Sequence, residues 1–335
     1  MKLLYAGSGA FGLPTLQHLY QHHEIVGVVT QPDKPAGRKR ILTPTPIAEW
    51  AVEQKLPILK SQNINSEEEL AQLRDWQPEA GIVIAFGQKL GPESIAAMGR
   101  LAVNLHASLL PKYRGAAPIN WAMIEGETRT GVSVIGLAQR MDAGAVYAQA
   151  DLAIDPKETA GELHDRLALL GPNAIAQVLN QLATNTLRPI EQDHTLATKA
   201  PKFTKADGTV DFNQTCHRVR CRIHGLTPWP GCRVRWVAAD GTDQGELHLR
   251  RVAEVPDLSC TVGLEAIDRP PAPGTLLAPT EDNRHQTDLI ATPDGAIRLL
   301  EVQAPGRKAM SFADFQKGKA MQPGDRLLPL TPEPA

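Results

Sequence analysis

Lys2-Leu3-Leu4-Tyr5-Ala6-Gly7-Ser8-Gly9-Ala10-Phe11-Gly12 opens the chain, and together with the next twenty residues it decides the fold. Lys2 to Ala6 has the apolar content and length of a buried strand, the glycines make a turn, and Pro14 to Gln21 spaces its apolar residues as a helix does. Ile25 to Thr30 then returns as a second, β-branched strand. Strand, turn, helix and strand make a βαβ unit, and its repetition builds a parallel sheet with right-handed crossovers. Further strands are predicted at Gly81 to Ala85 and Leu101 to Leu105, and helices at Ile47 to Lys55 and Glu67 to Trp76. The last of these is opened by Asn65-Ser66 and the acidic run Glu67 to Glu69. Gly131 to Leu137 and Ala145 to Ile154 read as an added strand pair, and Ala160 to Leu182 as one long amphipathic helix closing the domain. Residues 185–208 turn polar and Pro-containing, as a linker does. Short strand-like runs at Arg233 to Val237, Glu246 to Val252, Thr287 to Ala291 and Ala296 to Val302 then predict a small β-barrel or sandwich.

At 335 residues and 42% hydrophobic side chains, the chain has material for two domains. Its 35 basic and 37 acidic residues leave a net charge of -2, so the average marks neither a basic nucleic-acid binder nor an acidic tail. No apolar run approaches the ~18–20 residues that span a bilayer. Met1, Lys2 and Leu3 to Leu13 faintly imitate a signal peptide, but Gly7, Gly9 and Gly12 break it, so a cytoplasmic protein is expected. Cys216, Cys221, Cys232 and Cys260 form no C-x-x-C pair and read as reduced thiols rather than a disulfide framework or zinc site.

Gly7-Ser8-Gly9-Ala10-Phe11-Gly12 is a literal G-x-G-x-x-G, and Asp33 stands about 20 residues later, the spacing of a dinucleotide fingerprint. Asp33, however, runs straight into the basic loop Lys34-Pro35-Ala36-Gly37-Arg38-Lys39-Arg40 instead of ending a strand. The glycines equally suit a plain strand-to-helix turn. A denser cluster begins at the end of the predicted strand Leu101 to Leu105, the edge where open α/β sheets bind ligands. Asn104 and His106, two residues apart, project from one face at roughly 6–7 Å separation. An amide donor beside an imidazole can serve a developing oxyanion and its proton traffic. Asp142, in Met141-Asp142-Ala143-Gly144, would fix the tautomer of His106 and favour the imidazolium if it folds beside it. A strand-end histidine and an ordinary Asp-Ala-Gly turn would look the same. Gly131-Val132-Ser133-Val134 lacks the closing glycine of a serine-hydrolase elbow, and His22-His23, His217 and His224 lack metal-ligand spacing.

Asn104-x-His106 with Ser108-Leu109-Leu110-Pro111, Tyr113-Arg114-Gly115-Ala116-Ala117-Pro118-Ile119 and Met141-Asp142-Ala143-Gly144 resembles the folate-dependent formyltransferase family. Pro228-Trp229-Pro230-Gly231, Ala304 to Met310 and Gln322-Pro323-Gly324-Asp325 extend the resemblance to the C-terminal part. It implies an α/β protein: a Rossmann-like catalytic domain (1–184), a linker (185–208) and an OB-like barrel (209–335) that binds tRNA. It implies 10-formyltetrahydrofolate as formyl donor, methionyl initiator tRNA as acceptor, and no metal, NAD or membrane, in a monomer. Asn104, His106 and Asp142 are the implied catalytic residues. The folate is expected along Phe86, Gly87, Gln88, Ser108, Leu109, Leu110 and Pro111, Phe86 being equally suited to the core. The tRNA is expected at Lys34, Arg38, Lys39, Arg40, Lys202, Lys205, Arg218 and Arg222. An amine of a nucleotide-linked sugar is the alternative acceptor. The family's first turn reads closer to Gly-Thr-Pro-x-Phe, from which Gly7 to Gly12 departs.

With tRNA as partner, charge placement matters more than the net -2. Lys199 to Arg235 holds eight basic residues against Asp207 and Asp211, a local +6. Arg218, Arg220 and Arg222 would share one side of a strand but spread around a helix.

Overall fold

The structure, a computed structural model, describes residues 1–37, 40–256, 271–278 and 288–330. The described residues fall into two compact units. One comprises residues within Met1–Pro118, Arg129–Ala153 and His164–Pro201; the other comprises Ile119–Thr128, Ile154–Leu163 and the chain from Lys202 on. In chain order the first unit contains β1 (Lys2–Gly7), α1 (Leu13–His22), β2 (Glu24–Thr30), the exposed pair β3 (Lys34–Ala36) and β4 (Ile41–Thr43), and α2 (Pro46–Glu53). Next come β5 (Ile58–Lys60), α3 (Glu67–Asp75), β6 (Ala80–Ile84), α4 (Pro92–Ala96), β7 (Leu101–His106) and the short β8 (Arg114–Gly115). β9 (Arg129–Gly136), β10 (Val146–Ala153), α7 (Gly171–Ala183) and β11 (Lys199–Ala200) complete it, while α5 (Pro118–Ile124) from Ile119 on and the start of α6 (Ala160–Ala168) as far as Leu163 group with the second unit.

Seven strands form one open sheet in the order β10-β9-β7-β6-β1-β2-β5. Five are parallel, and β9 and β10 join antiparallel. Parallel strands are covered on both faces, which is why β1 is apolar throughout rather than alternating: Leu3 to Ala6 are fully buried. The Ser66 hydroxyl caps α3 by accepting from the Glu69 backbone N–H, as the sequence predicts. The glycines of the first turn are explained by packing. A Cβ on Gly12 would lie 2.0 Å from the Tyr5 hydroxyl, and one on Gly7 would lie 2.7 Å from the Tyr5 ring. The turn therefore closes directly over the buried Tyr5 ring, whose phenol burial pushes up and keeps protonated.

Two sequence-based expectations change. The helix expected over Ala160 to Leu182 is two, because Pro172 stands in the first turn of α7 and has no N–H with which to continue α6. Residues 185–208, expected as a linker, are tied down at several points. Ile190 exchanges two 2.8 Å backbone hydrogen bonds with Val146, β11 pairs with β8, and Thr198 holds Tyr113 and Arg114 through its hydroxyl and carbonyl. The chain groups with the first unit as far as Pro201.

The second unit contains α8 (Cys216–Gly225), β12 (Cys232–Val237), β13 (Asp243–Val255), β14 (Leu289–Thr292), β15 (Gly295–Gln303), β16 (Met310–Ser311), α9 (Phe312–Gly318) and β17 (Arg326–Pro329). The antiparallel order is β14-β15-β13-β12-β17, with β16 on β15. Thr275 bridges to Arg326 of β17 and Leu276 to Ile290 of β14, so the sheet curls into an OB-like barrel. Thr287, expected to begin a strand, lies outside the described residues, as do Cys260, Arg38 and Lys39. The Gln322-Pro323-Gly324-Asp325 motif serves this barrel. The buried Asp325 carboxylate accepts from the Trp236 indole (2.8 Å), Ala239 N and Gln322 N (both 3.0 Å).

His224 of α8 is fully buried and its Nε2 accepts from Val252 N at 3.1 Å, so the neutral ring carries its proton on Nδ1. Burial first, then the nearby Arg220 and Arg251 cations, push its pKa down to about 4. The unfolded chain binds this proton near pH ~6.5, so His224 favours folding fully above that pH and progressively less as pH falls toward about 4. The difference is worth about 3 kcal/mol at most, at ~1.4 kcal/mol per pH unit. Urea midpoints should fall between pH 7.5 and 5.0, and His224→Gln should reduce that fall; an unchanged pH slope in the variant rejects the assignment.

Candidate active site

The site is assembled on β7. Alternation along the strand points Leu101, Val103 and Leu105 one way, with Leu105 meeting Gly171 of α7, and Asn104 and His106 the other. In the ladder Asn104 lies between Val83 and Ile135, and His106 beside Ser133. Because β9 runs antiparallel to β7, residues 137–145 leave β9 near the start of β7, with Leu137 N donating to Ala102 O. They fold back far enough to bring Asp142 to His106: Nδ1 and Oδ2 are 3.6 Å apart and both side chains are largely buried. Asp142 is held in the left-handed region at φ +52°, with Gly115 N donating to its Oδ2 at 2.9 Å.

The His106 ring departs from the sequence expectation in one respect. Its Nε2–H donates to the Tyr113 carbonyl at 2.9 Å, so that carbonyl, rather than Asp142, fixes the tautomer. Nδ1 is then bare and faces a carboxylate, leaving a gap that one proton would fill. Burial lowers the His106 pKa below the ordinary histidine value, outweighing Asp142 and the Tyr113 carbonyl, which both favour the charged form.

Three side chains that no motif marks hold this arrangement. The Ser133 hydroxyl donates to Ser108 O (2.7 Å) and accepts from Leu110 N (3.1 Å) and from Gln149 Nε2 (2.8 Å). Gln149 also donates to Leu110 O at 3.0 Å, so Ser133 and Gln149 together brace the 108–111 loop. Gln192 reaches the Asp142 loop from residues 185–208. A period-two strand pattern marks Ser133 and Gln149 as strand residues, but nothing local tells which loop they meet.

The expected folate residues divide. Phe86 is 2% exposed and packs in the core with Leu4, Ala6 and Val83, so its side chain belongs there rather than at the site. Gly87 is exposed with φ +86°. The Gln88 amide is engaged at both ends, with Ile64 N and with the Ser61 carbonyl and hydroxyl, and the Ser108 hydroxyl donates to Lys112 O. These two side chains are occupied, leaving backbone and the half-buried Leu109 and Pro111 as the surface open to a ligand; Leu110 is buried. Adjacent parallel β6 and β7 put the 85–88 and 107–111 loops at one sheet edge, which suits a flat heterocycle.

The basic residues divide as well. Lys34 and Arg40 are exposed beside β3 and β4, and Lys202 and Lys205 are exposed in the second unit. Helix α8 spreads its three arginines. Arg220 is buried on Glu254, Arg218 lies 3.5 Å from Glu125, and Arg222 donates to the carbonyls of Thr209 (2.9 Å) and Asp207 (2.7 Å). Arg233 and Arg235 pair with Glu246 and Asp243. Much of the local +6 is thus engaged within the second unit, and Arg222, expected at tRNA, braces backbone instead. Among the described residues no group of three His, Cys, Asp or Glu side chains is disposed to hold a metal.

Residues 3–179 match the Formyl transferase family and residues 202–320 its C-terminal domain. A methionyl-tRNA formyltransferase of Geobacter metallireducens is 36% identical over 329 residues, 98% of each chain. One from Staphylococcus epidermidis is 34% identical over 318 residues, 95% of this chain and 96% of its own. The fold is shared with a sugar 3N-formyl transferase solved with dTDP and 5-N-formyl-THF (TM-score 0.62, 14% identity, 92% of this chain and 99% of that one). It is shared also with a Helicobacter canadensis N-formyltransferase in complex with folinic acid and dTDP-3-aminofucose (TM-score 0.63, 14% identity, 89% and 98%). With both domains matched and full-length relatives above 30% identity, the chain belongs to the formyl transferase family.

Proposed function

We propose that this chain transfers the formyl group of 10-formyltetrahydrofolate to the α-amine of methionyl initiator tRNA in the cytoplasm. The observation that carries the chemistry is the buried His106–Asp142 pair, 3.6 Å apart across a gap that accepts one proton, on the same strand face as Asn104. The relatives named for methionyl-tRNA are 34–36% identical to this chain, against 14% for the sugar formyltransferases that share its fold, which favours that acceptor. The folate supplies a formyl group on nitrogen. The acceptor amine forms the new N–C bond as its free base, about a tenth of the population at pH 7 because α-amino groups titrate near ~8. Asn104 donates to the formyl oxygen as negative charge gathers there. Nδ1 of His106, facing the Asp142 carboxylate and with Nε2 held by the Tyr113 carbonyl, takes the proton that the amine loses and returns it to the folate nitrogen as the old C–N bond breaks. Leu109, Pro111 and the backbone at Gly87 border the folate. Lys34, Arg38, Lys39, Arg40, Lys202 and Lys205 meet tRNA phosphates, with Arg218 at the margin and Arg222 acting only through the backbone it holds.

An acceptor competition tests this. With formyl-labelled donor, charged initiator tRNA should take the label far faster than elongator tRNA, and its KM should rise with salt as phosphate contacts release counterions. A nucleotide-linked sugar amine should take none. Preferential labelling of the sugar amine would overturn the acceptor assignment.

A further inference from the structure

We infer that Gln192 is a positioning residue for formyl transfer, acting through Asp142. Gln192 is 8% exposed and its amide is fully occupied. Nε2 donates to Asp142 O at 2.8 Å and Gly144 O at 2.7 Å, while Oε1 accepts from Arg114 Nε at 3.1 Å and Nη2 at 2.6 Å. Arg114 is the residue before Gly115, whose N–H holds the Asp142 carboxylate. One amide thus joins the backbone of the Asp142 loop to the strand that grips the carboxylate. Arg114 is anchored further by His194 Nδ1, which accepts from Nη2 at 2.9 Å. The paired hydrogen bonds between Ile190 and Val146 place Gln192 two residues along.

This clamp is needed because a non-glycine residue at φ +52° is held against its local preference, and such a conformation persists only when its surroundings over-determine it. Gln192 supplies two of the hydrogen bonds that do so. Release of the loop would widen the gap between Oδ2 and Nδ1, across which the proton is held.

The inference rests on the proton-holding role of Asp142, and the experiment separates the two. Gln192→Glu keeps an oxygen for Arg114 but sets oxygens against the Asp142 and Gly144 carbonyls. It should lower kcat about 10²-fold, the cost of misplacing a catalytic group by ~1 Å, and leave KM for the folate within about threefold. Asp142→Ala alone tests the role of Asp142: unchanged kcat rejects that role. In the Asp142→Ala background, Gln192→Glu should cost nothing further, because residues acting as a unit are non-additive. Losses that multiply, or wild-type kcat in Gln192→Glu while Asp142→Ala is impaired, overturn the inference alone. Should Gln192→Glu fail to fold, Gln192→Asn, which keeps the donors but falls one methylene short, carries the same kcat and double-variant expectations.

Discussion

Asn104→Ala is expected to lower kcat for formyl transfer by about 10²–10³-fold, the usual cost of removing one preorganised donor to a developing oxyanion. The substitution is clean in this fold. β7 pairs with β6 and β9 through backbone, so the strand survives without the amide, and the fully packed face of β7 is formed by Leu101, Val103 and Leu105 instead. The melting temperature should hardly move while turnover collapses. His106→Ala should lose as much turnover but some stability too, because it leaves the Tyr113 carbonyl and the Asp142 carboxylate without their buried partner. Steady-state kinetics on both variants, with folding checked by circular dichroism, decides the matter. A loss below tenfold in both would remove Asn104 and His106 from the chemistry.

Gly144→Ala is expected to be as severe, for a steric reason. A Cβ at this position would lie 1.8 Å from the Gly136 carbonyl oxygen and 2.8 Å from its carbon. Both obstacles are backbone, so no side-chain rotation relieves them. The 137–145 loop must move away from β9, breaking the 3.0 Å bond from Gly136 N to Ala145 O and withdrawing Gly144 O from Gln192. A shift of an ångström or more carries Asp142 off His106, and a misplacement of that size commonly costs about 10² in rate. Stability should fall by roughly 1–3 kcal/mol, the ordinary range for a damaging single substitution. Wild-type kcat with an unchanged melting temperature would show that the loop is more pliable than these contacts allow.

The two effects differ in how far they could be foreseen. Asn104 and His106 are legible because a strand alternates its side chains, so residues two apart must share a face wherever the strand lies. The importance of Gly144 is not legible, since an Asp-Ala-Gly turn looks the same whether or not a carbonyl stands against it. The same contrast runs through the basic residues. The alternation of Arg218, Arg220 and Arg222 is compatible with strand and helix alike, and only α8 separates an exposed-side arginine from one buried on Glu254 and one braced on carbonyls. Residues 185–208 look like a linker by composition because their hydrogen bonds go to distant partners, leaving no local period to read. Gln192 meets Asp142 across 50 residues of chain.

The opening βαβ unit, the strands β6, β7, β9 and β10, the start of α3 at Ser66, the shared face of Asn104 and His106, and the family motifs are written in the amino-acid sequence. Each comes from propensity, capping or periodicity within a few residues. Tertiary structure was needed to bring Asp142 to His106 from the far end of β7, and to make Tyr113 rather than Asp142 the residue that fixes the ring. It was needed also to set Ser133, Gln149 and Gln192 against the site's loops. Such distances depend on which strands pair and how loops close over a buried face, and those are settled by the burial of the whole sheet rather than by any short stretch of chain.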